Sequence, residues 1–421
     1  MISIDRKTLA LSAILAFLAW TGNWLNMPLF YGVDFIFGSI AAMLAAALLG
    51  PVATTVIAAV GGLYTVEHWN QPYALITFTA EALTVALLYR RGLRNLILAD
   101  LVFWIFLGLP LILLFYHSII GMEWQSTLLV ALKQPLNGLF NALVAGIILL
   151  AVQTAFRTTR LTGRFRPSLS ELLFHVLLCS ILLAGAIPII VESNAQRNRH
   201  EAFMLNRLEQ IAQRAAADIS FAPDAEIKTW QNHLARAQLS PQTSLALLDH
   251  DGRILIEQGK LAAIDKQTGE IKPLDKGLAI WLVYGKLAAM ERWKRGRYLT
   301  SIALTGVADV AQVYIEQDAE SLVLDFEKGR LPLFLSLALL LLSGIIVSYL
   351  LSRWLTHSLR NLEAASFGLA DAIGNGLKPN LPASPIMEYD NLSTTLNEMA
   401  QRLTDSFNEQ SEILAGLERQ V

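Results

Sequence analysis

The run from Leu331 to Leu351 contains no charged residue, and a helix needs about 20 apolar residues to cross the ~30 Å hydrocarbon of a bilayer. A chain carrying such a run cannot fold as one water-soluble globule. Comparable runs extend over Leu9 to Leu25, Phe35 to Leu49, Pro51 to Tyr64, Ala74 to Tyr89, Leu96 to Tyr116, Thr127 to Gln153 and Leu172 to Val191. With 54% hydrophobic residues, 16% charged residues and a mean hydropathy of +0.46, the chain is expected to be a mainly α-helical integral membrane protein with about eight transmembrane helices. Gly50-Pro51 interrupts the second and third runs, so they read as two short spans or one kinked element.

Orientation follows from the basic residues. Under the eight-span count Arg6-Lys7, Arg90, Arg91 and Arg94, and Arg157, Arg160, Arg164 and Arg166 fall on one side, which the positive-inside rule makes cytoplasmic. Seven spans would put one cluster on the wrong face. Both termini are then expected inside, in a bacterial inner membrane, with the lipid bilayer as solvent. The start, Met1-Ile2-Ser3-Ile4-Asp5-Arg6-Lys7, runs into the first span with no small-residue cleavage site, so that helix is read as retained. The net charge of -2 gives no reason to expect nucleic acid as a partner. The single cysteine, Cys179, lies in a span, which excludes a disulfide framework and a CxxC metal site; no cofactor is expected.

The spans divide the chain into residues 1–155 as a six-span module, 156–171 as a basic loop, 172–192 as a seventh helix, 193–330 as an extracytoplasmic α+β domain, 331–353 as an eighth helix, 354–405 as a cytoplasmic helical relay, and 406–421 as the start of a coiled coil. The outer block opens with a periodic stretch from Ala195 to Ile219, read as a helix continuing out of the seventh span. About five strands follow: Thr243 to Leu248, Arg253 to Ile256, Ala279 to Tyr284, Tyr298 to Leu304 and Val310 to Ile315. Asp251-Gly252 between the first two is a hairpin signal. This order of elements is similar to single Cache, PAS-like sensor domains; another small α+β domain has the same pattern. Cache-like domains often hold carboxylates with aromatic and guanidinium groups, and Arg suits a carboxylate in two-point fashion. The resemblance therefore implies Trp281, Tyr284, Arg292, Trp293, Arg297, Tyr298 and Tyr314 as ligand contacts, although strand aromatics also serve as core.

In the relay, Leu355, Leu359, Leu362 and Leu369, then Leu392, Leu396, Met399 and Leu403, recur at three-then-four spacing, the pattern of a seam between parallel helices. Gly374 to Pro385 cannot be helical throughout and reads as an extended connector. With Thr356-His357-Ser358-Leu359, Leu362, Ala364-Ala365, Leu369, Glu388 opening the second helix, Leu392, Leu396-Asn397 and Met399, the segment resembles a HAMP domain, with Ser358 where that pattern usually has proline. The resemblance implies a homodimeric parallel bundle in which Leu359, Leu362, Glu388, Leu392, Leu396 and Met399 relay the signal. The alternative is an ordinary amphipathic helical hairpin. Leu414, Leu417 and Val421 continue the register, so a chain ending there is expected to be a piece of a longer protein or to hand its signal to a separate partner.

No GxxxxGK[ST], HExxH or cyclase signature occurs, and His357 lacks the flanking acid of a phospho-acceptor, so no catalytic residue is assigned. Ionisable groups at membrane depth cost about 2.5–3.5 kcal/mol on insertion scales and face a cavity or a partner. Asp34, Glu81, Lys133, Asn137 and Asn141 are such groups, the last three on one face of a helix by their i, i+4, i+8 spacing. They read either as an outward-opening pocket for a small polar ligand or as a structural Glu81–Lys133 bridge. Gly32 to Ser39, Pro72 to Leu75 and Lys133 to Gly138 make residues 7 to 155 similar to the input region of bacterial sensor kinases and diguanylate cyclases, related to the LytS-YhcK type of five-transmembrane receptor. That resemblance implies a sensor for a small-molecule ligand with a cytoplasmic output, a diguanylate cyclase or a histidine kinase, beyond these residues. The competing expectation is a transporter or a transporter-linked substrate-binding protein, against which stand the absence of duplicated halves and the heptad.

Overall fold

The computed structural model describes residues 6–155, 168–221, 227–236, 239–263, 267–274, 277–285, 287–307, 309–367 and 381–418. It is mostly helical with a separate sheet region. Among the described residues three helices are long and apolar enough to cross a membrane: α5 (Leu96–Ile119), the Trp124–Thr154 part of α6 (Trp124–Ala155), and the Glu320–Ser366 part of α10 (Glu320–Phe367). The described residues pack as two units, one drawn from Met1–Val152 and Leu183–Leu340, the other chiefly from Arg164–Leu182 and Leu341–Val421.

The first unit begins with α1 (Arg6–Trp24), a hairpin of β1 (Met27–Phe30) and β2 (Val33–Phe35), then α2 (Gly38–Leu48), α3 (Pro51–Trp69) and α4 (Tyr73–Arg90). Phe35 to Leu49 was expected as a span, but α2 has 11 residues. At 1.5 Å per residue it rises about 16 Å, roughly half the hydrocarbon. Helix α2 is therefore too short to cross on its own. The hairpin precedes its N-terminal end; its C-terminal end is Gly50, at φ +93 beside the Arg90 side chain, with Pro51 as the first residue of α3. The positive φ there is open to glycine and costly for a side chain with a Cβ. Asn23 fixes the packing of these helices: its Nδ2 donates to Gly61 O (2.8 Å) and its Oδ1 accepts from Gly38 N (2.7 Å). In α5, Pro110 has no N–H to give and lies between π-helical turns Trp104–Gly108 and Leu113–Ile119, a local widening that absorbs the missing bond.

Helix α7 (Leu169–Ser220) is continuous through the expected seventh span and the expected outer helix. After α8 (Ile227–Arg236) come β3 (Thr243–Leu248), β4 (Ile254–Gln258), β5 (Gly269–Pro273), β6 (Ala279–Val283), the short helix α9 (Ala289–Lys294), β7 (Arg297–Ala303) and β8 (Gln312–Asp318). They form one antiparallel sheet in the order β4-β3-β8-β7-β6-β5. Six strands form where five were expected. The missed β5, Gly-Glu-Ile-Lys-Pro, is a polar edge strand ending in proline, which hydrophobic alternation does not flag. The Asp-Gly turn forms as expected: Asp249 Oδ1 accepts from Asp251 N (2.9 Å) and Arg253 N (2.7 Å), and Gly252 has φ +78. Ala246, Leu248, Ala263, Trp281, Leu299 and Tyr314 build the core on one face of the sheet.

In the second unit, Ser170 Oγ of α7 and Ser352 Oγ of α10 lie 3.5 Å apart. Helix α11 (Met387–Glu418) holds the end of the connector against itself: Leu381 N donates to Asn397 Oδ1 (2.9 Å), Ser393 Oγ to Pro382 O (2.9 Å) and Ser384 N to Asp390 Oδ1 (3.1 Å). Leu362, Leu381, Ser393, Ala400 and Thr404 are buried, whereas Leu392, Met399 and Leu403 are 43%, 56% and 49% exposed. Glu388 lies in the exposed first turn of α11, where an acidic side chain suits the helix N-terminus. Leu369 and most of the expected connector, the basic loop cluster from Arg157 to Arg166, and Val421 lie outside the described residues.

Candidate ligand cavity and its supporting network

The short helix α2 is preceded in the chain by the β1–β2 hairpin. Ile36, the residue that follows the hairpin, is pinned from α6. Asn137 Oδ1 accepts from Ile36 N (3.0 Å), while Asn137 Nδ2 (2.7 Å) and Asn141 Nδ2 (2.9 Å) both donate to Ile36 O. The i, i+4 spacing that marked these amides as ligand groups thus serves a backbone that no strand or helix partner satisfies. One turn nearer the N-terminal end of α6, Lys133 is 2% exposed. Its ammonium lies 5.6 Å from the ring centres of both Phe35 and Trp69, a cation–π distance.

Lys133, Asp34, Gln71, Tyr116 and Gln134 line a cavity of ≈ 40 Å³ together with Ala288, Ala289 and Met290 of the sheet domain. A second cavity of ≈ 260 Å³ shares Gly32, Asp34, Trp69 and Ala289 with the first and reaches His68, Lys272, Arg292 and Trp293. Asp34 Oδ2 is 2.6 Å from His68 Nε2, and His68 stacks on Tyr64. Trp69 Nε1 donates to Gly32 O (3.2 Å). Gly32 has φ +79, and a Cβ there would stand 2.4 Å from the Ala289 side chain; a tight turn and a close approach to the outer domain both require glycine at this position.

Glu81 belongs to neither cavity, and the expected Glu81–Lys133 bridge is not formed. Glu81 is fully buried, accepts from Trp104 Nε1 (3.0 Å) and Ser39 Oγ (3.2 Å), and touches Asp100. This cluster packs against Gly138 of α6, where a Cβ would lie 2.3 Å from Trp104 Nε1 and 2.4 Å from Glu81 Oε1. Equal depth along two helices did not bring the groups together, because depth leaves the direction in which each helix faces undetermined. Asp100 and Trp104, the actual partners, share an i, i+4 face of α5 that sequence reasoning did not single out.

The seven outer-domain candidates separate in the same way. Trp281, Tyr298 and Tyr314 are buried in the sheet. Tyr314 OH donates to Glu316 Oε1 (3.2 Å), and burial together with the Glu316 carboxylate holds the phenol above its ordinary pKa. Arg297 pairs with Glu316 (3.1 Å) and Asp318 (2.9 Å) and donates to Lys260 O, so its guanidinium is already engaged. Tyr284 is exposed. Only Arg292 and Trp293 face the larger cavity. Arg292 donates to Val283 O (3.1 Å) and Glu270 Oε1 (3.0 Å), and Trp293 packs 5.2 Å from Tyr31 at the hairpin tip.

Next to Trp293, Lys294 forms a node that the sequence did not announce. Its Nζ lies 2.8 Å from Glu123, 3.3 Å from Glu327 and 3.6 Å from Glu291, and donates to Ser126 Oγ (2.7 Å), which donates to Glu327 Oε2 (3.0 Å). Burial alone would lower this lysine's pKa, but the three carboxylates outweigh it and hold the pKa above the ordinary value. The node joins the sheet domain, the start of α6 and the first turns of α10. Compared with known proteins, the chain matches no family model, no curated protein and no solved structure.

Proposed function

We propose that this chain is the input portion of a bacterial inner-membrane receptor, with both termini cytoplasmic, in which a small-molecule ligand biases the outer end of α10 and the relay helices carry the change to a cytoplasmic output. The observation that carries this reading is what gathers on α10. Phe326 packs against Phe30 (5.3 Å), Tyr31 (5.1 Å) and His200 of α7 (5.8 Å), and Phe334 against Phe30 (6.0 Å). Glu327, one residue on from Phe326, takes the Lys294 node, and Arg330 stacks on Phe326 and donates to Gln196. A hairpin bordering both cavities thus bears on the helix that continues without a break to Phe367. A ligand acts on such a device through its different affinity for two arrangements of the hairpin and helix.

The membrane-distal half of the reading is a HAMP-like parallel homodimer feeding a diguanylate cyclase, a histidine kinase or a separate partner, with a Cache-like outer domain. The exposed stripe Leu392, Met399 and Leu403 supports it, since one chain leaves these side chains uncovered and a second copy in register covers them. Single cysteines at Leu396, Met399 and Glu398 in membranes test it. Rapid intermolecular crosslinking at the first two and slow crosslinking at Glu398 is the expected pattern. Equal rates at all three remove the parallel seam, and saturable substrate accumulation in vesicles bearing this chain replaces the receptor with a transporter.

A further inference from the structure

We infer that the Asp34–Lys133 cavity is a binding site for a small zwitterion, a molecule of glycine or alanine size carrying one ammonium and one carboxylate. Asp34 and Lys133 border the same ≈ 40 Å³ space; Asp34 reaches His68 through Oδ2 (2.6 Å), whereas Lys133 forms no ion pair or hydrogen bond with any described residue. A buried ammonium held apart from any carboxylate lacks the direct pairing that offsets its desolvation. Two further groups are incomplete: Gln71 Oε1 and Gln134 Oε1 are buried acceptors with no donor among the described residues, while the Gln71 amide nitrogen is already directed to Tyr116 (3.3 Å).

The chemistry that completes all of these is a carboxylate against the three donors of Lys133, with an ammonium between Asp34 and the two amide oxygens. An anion alone leaves the amide oxygens without donors and faces Asp34 with like charge. A cation alone faces Lys133 in the same way. The space exceeds the ~10–15 Å³ that one water needs and suits a ligand of a few heavy atoms. The adjoining ≈ 260 Å³ cavity, bordered by Lys272 and Arg292, supplies an approach on its outer side.

Calorimetric titration of the full chain in lipid nanodiscs tests this without any cytoplasmic readout. Glycine and alanine are expected to bind, with acetate, propionate and methylamine at least about 10-fold weaker. D34N and K133Q are each expected to weaken zwitterion binding about 10- to 100-fold by removing a charge-assisted contact, with R253A, on the exposed Asp-Gly turn, unchanged. Equal affinity for glycine and acetate, or for glycine and methylamine, overturns the assignment, as does the absence of binding by any zwitterion, which leaves water in the cavity. Should K133Q not fold, the wild-type series decides. The site deepens the receptor reading but stands apart from it: binding with no change in Met399 crosslinking keeps the site and counts against the relay.

Discussion

Two lysines, Lys133 in helix α6 and Lys294 in the sheet domain, are almost equally buried, at 2% and 6% exposure, and their surroundings are opposite. Lys294 has three carboxylates and a serine hydroxyl around it, so its charge is compensated on every side and the node holds elements together. Lys133 has two aromatic faces and a carboxylate across a gap. Burial by itself therefore does not distinguish a structural charge from a recognition charge. The contacts left unmade do.

The sharpest way to break this comparison is to remove each ammonium. Lys294→Met leaves Glu327, Glu291 and Glu123 facing one another, and losing one side of a buried pair costs about 3–5 kcal/mol, with the exposed Glu123 contributing least. Thermal unfolding of the full chain in detergent is expected to shift strongly downward; a change as small as a surface substitution would show that the node is not structural.

Lys133→Met is expected to behave differently. It removes an unpaired buried charge, so stability should stay within about 1 kcal/mol of the parent or rise. Its effect should add to that of Glu81→Gln to within about 0.5 kcal/mol, since the two groups share no contact. A large loss, or coupling in the double variant, would return Lys133 to a structural role and revive the bridge to Glu81.

The smallest expected effect concerns the rim of the larger cavity. Burial raises the Glu270 pKa, but Lys272 (3.2 Å) and Arg292 (3.0 Å) outweigh it and hold the carboxyl below its ordinary value of 4.5. A depressed folded-state pKa contributes stability above the ordinary value that is lost as pH falls through the folded one. Between neutral pH and roughly pH 4 the parent should lose slightly more stability than Arg292→Gln does. Identical pH profiles would mean the pair is fully screened by solvent.

Much of the fold was legible from period and punctuation. The apolar runs located α5, α6 and α10, the Asp-Gly turn located β3 and β4, and the helix continuing out of the seventh run was visible as unbroken periodicity, because these signals are local to the chain. The polar edge strand β5, the hairpin Met27 to Phe35 between two expected spans, and the helix carrying Lys294 were not, because their sequences carry no local period that marks them. For the site, the sequence by itself marked Asp34, Glu81, Lys133, Asn137 and Asn141, though not Asp100, as polar residues in or beside apolar runs, which are costly to bury whatever the fold, so each must be satisfied. Tertiary structure alone decided how. It gave the two asparagines to Ile36, gave Glu81 to Trp104, Ser39 and Asp100, and left Asp34 and Lys133 across a cavity, because the rotation of each helix about its axis and the shortness of α2 are fixed by packing between helices and not by spacing within one.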